Sequence, residues 1–163
     1  MARAISIFLS VYWGRWEDAE RDFNKAVLDN PNNAEAWFYW ADAMAYDDSA
    51  ADGLKCISSA LRLNPRPPLY YYWIQGQAYY AAHNYVQAIE AIDKIPTASD
   101  GRRFRAAALA QLGRIGEAHE EAESYLRHHP EFTIRRWVSQ RPFRHGPTRD
   151  HFVEGFRKAG LPE

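Results

Sequence analysis

One cysteine, two methionines and a formal net charge of −1 leave this 163-residue chain poor in several kinds of chemistry. A lone thiol, Cys56, cannot form an internal disulfide, which fits a reducing cytoplasm, and zinc-spaced cysteines are missing. Near-neutral charge removes the whole-chain electrostatic case for nucleic acid or for a membrane surface. No stretch reaches the roughly 18 apolar residues that would suggest a membrane span. Glycine-rich phosphate loops and nucleophile elbows are absent too, so enzymatic activity is not expected.

The charge that exists is unevenly placed. From Thr133 to Glu163 seven basic residues face three acidic ones, a balance of +4, so the remainder carries −5 to give the total of −1. Trp137 and Phe143 lie among those arginines, which raises nucleic-acid contact; pairing with the acidic surface of the preceding chain is the simpler account, and nucleic acid is not expected. The apolar opening, Ala4 to Trp13, resembles a signal peptide in hydropathy. Ser6 and Ser10 interrupt it and no small-residue cleavage site follows, so it is read as a packed helix.

What the chain does have is repetition. Ala19, Gly53, Ala88 and Ala118 recur at intervals of 34, 35 and 30 residues, each early in a helix-forming stretch and each followed by a bulky apolar residue. Small residues let helix backbones approach, and aromatics fill the gaps between hairpins. A period near 34 residues with this pattern is that of tetratricopeptide hairpins, which stack because one hairpin cannot bury its own apolar face. The expected fold is all-α: a tetratricopeptide-type α-solenoid, a right-handed superhelix of about four helical hairpins, with a C-terminal capping helix. The length suits one domain and is too short for a catalytic domain beside four hairpins.

The hairpins are expected at about 1–31, 32–66, 67–97 and 98–130, with a capping segment over 131–163. The first is partial. Gly14 occupies its turn and Trp16, Ala19, Phe23 and Ala26 mark its second helix, but its first helix, about Arg3 to Tyr12, lacks the usual tryptophan and glycine. Such an atypical start suits a terminal repeat, and equally a chain that continues upstream. The second hairpin carries Trp37, Trp40 and Ala41, then Gly53, Ile57 and Ala60, and stops at Asn64-Pro65. The third carries Tyr72, Gly76 and Tyr79, then Tyr85, Ala88 and Ile92; Ile95-Pro96 shortens its second helix. The fourth carries Ala106, Leu109, Gly113, Ala118 and Ala122. Beyond Pro130 a short helix from Ile134 to Ser139 and a last helix from about Pro147 to Ala159 are expected, the latter stopped by Gly160.

A narrower likeness adds to the repeat pattern. Arg62-Leu63-Asn64-Pro65-Arg66-Pro67-Pro68-Leu69-Tyr70-Tyr71-Tyr72-Trp73 with Gly76-Gln77-Ala78-Tyr79, then Ala110-Gln111-Leu112-Gly113-Arg114, Phe132-Thr133-Ile134, Pro142-Phe143-Arg144 and the ending Gly155 to Glu163 resemble the tetratricopeptide tail of bacterial class III adenylate/guanylate cyclases. The resemblance implies a C-terminal regulatory or protein-binding module of a signalling protein, with the catalytic domain outside this chain. Related tails also follow winged-helix domains. No catalytic residue is carried over.

In tetratricopeptide folds the first helix of each hairpin lines a concave groove. On that geometry the groove holds Phe8, Tyr12, Tyr39, Asp42, Tyr46, Tyr70, Trp73, Gln77, Tyr80, Arg103 and Gln111. This row suits capture of a peptide or helix, since aromatic rings offer large contact area with few rotors to freeze. Packing of the same rings against one another or against the C-terminal tail is the other reading, and self-association is a further partner. The lysine and asparagine clamp that grips chaperone C-termini is missing; Phe38 and Asp42 stand in its places. His119, Glu123, His128 and His129 do not converge by spacing on a metal, and no catalytic, cofactor or metal residue is assigned. Asp47, Asp48 and Asp52 lack calcium-loop spacing and are expected to cap a helix start.

Overall fold

The computed structural model describes residues 2–163, with side chains from Ile5 onward. Ten α-helices and no strand occur among them: α1 Ala2–Tyr12, α2 Trp16–Asp29, α3 Ala34–Met44, α4 Ala50–Leu63, α5 Leu69–Ala81, α6 Tyr85–Ile92, α7 Arg102–Gln111, α8 Ile115–His128, α9 Ile134–Ser139 and α10 Gly146–Lys158. The first eight pair as successive antiparallel hairpins. α1, α3, α5 and α7 pack in sequence to make one layer; α2, α4 and α6 each also touch the first helix of the next hairpin. The expected first repeat begins at Met1, which lies outside the described residues.

The small residues act where the repeat pattern places them. Ala19, Ala88 and Ala118 have no exposed surface. A Cβ at Gly76 would run into the Ile92 side chain, so α5 and α6 reach their separation only with glycine there. Gly14 and Gly113 adopt positive φ of 72° and 77° in the turns of the first and fourth hairpins, a region that costs other residues strain. Asn33 and Thr133 cap α3 and α9 by accepting backbone N–H bonds from Ala36 and Arg136. α6 spans eight residues and ends before Ile95-Pro96, the physical source of the short interval between Ala88 and Ala118.

The acidic run behaves differently from expectation. Ser49, not an aspartate, precedes α4, and no side chain caps that helix. Asp47 turns instead toward the C-terminal segment, where it meets Arg144 at 3.4 Å and His145 at 3.1 Å. Thr148 donates to Asp48 at 2.6 Å. A partner about 100 residues away takes these carboxylates, which local sequence could not reveal.

Candidate functional site

After α8 the chain turns back and lays α9, a loop and α10 against the α1/α3/α5/α7 layer. α10 packs mainly on α7 and touches α5. Its apolar stripe, Phe152 and Phe156, meets Phe104, and Trp137 of α9 closes the cluster with ring centroids 4.9 Å from Phe156 and 5.5 Å from Phe152. The loop is pinned at Tyr46, whose backbone carbonyl accepts from Arg144 N at 3.1 Å and whose ring meets Phe143 at 5.3 Å.

This segment divides the expected groove. At the α7 end, Tyr80 is fully buried: it stacks on His151 at 4.7 Å, meets Phe152 at 5.1 Å and donates its hydroxyl to the His151 carbonyl at 3.2 Å. Arg103 is 1% exposed, paired with Asp100 at 2.6 Å and set over the Phe104 and Trp137 rings. Asp100 also accepts from Tyr125 at 2.8 Å, and although burial opposes ionisation, Arg103 holds its carboxyl below the usual range. Gln111 is held by Lys158 at 3.1 Å. Tyr46 is likewise buried. Tyr80 and Arg103 therefore follow the packing reading of these positions: the chain's own C-terminal segment covers them, because its aromatic stripe packs on the apolar face of α7.

At the α1/α3/α5 end the layer is less covered. Phe8 and Tyr12 lie 4.4 Å apart by centroid, Phe8 and Tyr39 6.0 Å, and Tyr39 and Tyr70 are half-buried and exposed respectively. Tyr70 and Tyr71 both donate to Glu35, at 3.2 and 2.7 Å, which orients the rim. Below that rim is a cleft of about 260 Å³ lined by Phe8, Tyr12, Asp42, Tyr46, Trp73, Ile74, Gln77 and Arg141. Six of the eleven expected groove residues thus meet in one place.

The floor of the cleft is polar. Gln77 Nε2 donates to Asp42 at 3.1 Å, while its Oε1 accepts from the Tyr46 hydroxyl at 3.4 Å. Asp42 is 5% exposed, and burial pushes its carboxyl up to about 7 in spite of Arg141 and Gln77, which favour the charged form. Arg141 was visible in the sequence only as one of the basic residues of the tail. It reaches the cleft from beyond α9, 99 positions from Asp42, and no local signal could have placed it there. His119 sits by Gly160, His128 reaches the Ser124 carbonyl and His129 the Ala98 carbonyl, so these histidines point to separate partners.

Stacked hairpins with an inner helical layer define a repeat solenoid, a class built for contact along one face. The tetratricopeptide repeat family model matches residues 11–45 and 40–103, and the chain belongs to that family. Two solved structures of similar shape are titled crystal structures of MamA and of MamA protein. The first has a TM-score of 0.65 at 22% identity and covers 92% of this chain and 90% of its own; the second has 0.63 at 21%, covering 98% and 91%. At that identity the likeness concerns the fold alone. No curated protein matches the sequence.

Proposed function

We propose that this chain is a non-catalytic protein-interaction module, the C-terminal regulatory part of a cyclase-like signalling protein of the cytoplasm, and that its partner lies along the rim of the less covered end. The observation that carries the reading is the row of Phe8, Tyr12, Tyr39 and Tyr70, aromatic side chains left partly accessible beside an equivalent surface that the C-terminal segment fills. Rings of this kind bury area at low entropic cost. The Arg62–Trp73 stretch and the Gly155–Glu163 ending support the cyclase assignment by resemblance. Cys56 is buried with its thiol pushed up to about 11, the state of an unreactive structural cysteine, and no helix among the described residues is long and apolar enough to cross a membrane.

Affinity capture on the chain beside a Tyr39→Ala/Tyr70→Ala variant tests this. A partner retained by the original and lost from the variant, with helicity unchanged, is the expected result. Equal retention by both would sink the rim assignment.

A dimerisation module is the second reading, and one feature favours it. Ile5, Leu9 and Trp13 recur at four-residue spacing along and just beyond α1 and remain exposed, as does Leu28 of α2. Joining two chains there would bring two catalytic domains together. Mass measured across a concentration series should rise to that of a dimer and fall back in Leu9→Glu; a monomer at all concentrations leaves the rim reading, or a free-standing adaptor that works through the same rim.

A further inference from the structure

Asp42 and Arg141 line one cleft and Arg141 favours the ionised form of the Asp42 carboxyl across it, but no hydrogen bond or contact ion pair joins the two side chains. The Asp42 side chain, 95% buried by its 5% exposure, accepts from Gln77 Nε2. Arg141 Nη1 donates to the Tyr12 hydroxyl at a long 3.4 Å, and Arg141 Nε is shut off from solvent with no acceptor. A buried guanidinium with an unfilled donor is costly, so Arg141 facing the Asp42 carboxyl across the same void marks a place that a bridging molecule would complete.

Size and walls narrow the choice. The void of about 260 Å³ lies at the small end of ligand sites, with room for one residue and not for a length of chain. Phe8, Tyr12, Trp73 and Ile74 supply apolar and aromatic wall between the charged ends. A residue within a peptide carries neither terminal charge, and an N-terminal residue carries only the ammonium. We propose that the cleft binds a free α-amino acid with an apolar or aromatic side chain, its carboxylate on Arg141, its ammonium on Asp42 and its side chain against Trp73 and Ile74. This goes beyond the protein-contact reading: the rim would meet a partner, and the cleft below would register a small zwitterion.

Titration calorimetry and the indole N–H resonance of Trp73, assigned through Trp73→Phe, test it on the full chain. The probes are L-phenylalanine and L-leucine, N-acetyl-L-phenylalanine, which lacks the ammonium, and L-phenylalaninamide, which lacks the carboxylate. Saturable binding of a free amino acid that shifts the Trp73 indole, with both blocked forms weaker by about tenfold or more, is expected. Asp42→Asn should weaken the free amino acid and leave the N-acetyl form unchanged; Arg141→Gln should weaken the free amino acid and leave the amide unchanged. These paired comparisons separate lost contacts from lost folding, which thermal melts of each variant check. Absence of saturable binding by either amino acid overturns the proposal, as does equal binding of the N-acetyl form, which would make the cleft an anion site. Tyr39 and Tyr70 substitutions, which test the rim, stay independent of either outcome.

Discussion

The two ends of the α1/α3/α5/α7 layer are built from the same kinds of residue and end in different states. At the α7 end the aromatic face is closed by Trp137, Phe152 and Phe156, so Tyr80 and Arg103 become interior. At the α1/α3/α5 end the same layer meets only the edge of that segment, at Arg141, Phe143 and Arg144, and keeps a partly accessible rim over a polar-floored cleft. An aromatic groove residue is thus a binding group or a core group according to what the rest of the chain lays on it.

Removing the cover should have the largest effect. Phe152 is fully buried and meets Tyr46 in the turn after α3 and rings from α5, α7 and α9, so Phe152→Ala is expected to destabilise the fold by about 4 kcal/mol in chemical denaturation. A loss below about 1 kcal/mol would show the C-terminal helix to be loosely docked.

Asp42 should give the next largest effect, and with a particular pH dependence. Its carboxyl is raised from 3.8 to about 7 by burial, facing Arg141 from beyond α9, Tyr12 from α1, Gln77 from α5 and Tyr46. The native state therefore favours the protonated form. Its stability contribution is complete below about pH 4, declines as pH rises toward 7 and stays lost above. Asp42→Asn should remove that decline, making the chain more stable at pH 8 by about 4 kcal/mol with little change at pH 4. Parallel melts at both pH values check it; equal shifts would mean the carboxylate is solvated in the cleft.

Gly155 sharpens the comparison from the covered side. A Cβ there would overlap the Tyr80 hydroxyl and lie 3.3 Å from Ala107 Cβ, so Gly155→Ala should cost about 2 kcal/mol although alanine favours helix. Hydrogen exchange at α10 would report whether the helix has been pushed off. Arg144→Ala should do least, below about 1 kcal/mol and less at high salt, because its pair with Asp47 is partly exposed.

The repeat was legible because its causes are local. Ala19, Gly53, Ala88 and Ala118 announce helix contacts through size alone, and Ile95-Pro96 announces a short α6. The groove was legible as a set of positions but not as a surface. Tyr80 and Tyr70 look alike in the sequence, yet one is sealed by His151 and Phe152 and the other sits on the rim. Asp47 has the composition of a cap and the role of an anchor for Arg144 and His145.

Periodicity and residue size by themselves determined the helices, their pairing into hairpins and the layer that their first helices make, since each depends on contacts between neighbours at fixed spacing. Only the tertiary structure decided which part of that layer is interior, and that Arg141 shares a cleft with Asp42, because both depend on a segment without period whose path is set by long-range burial of its own aromatic stripe.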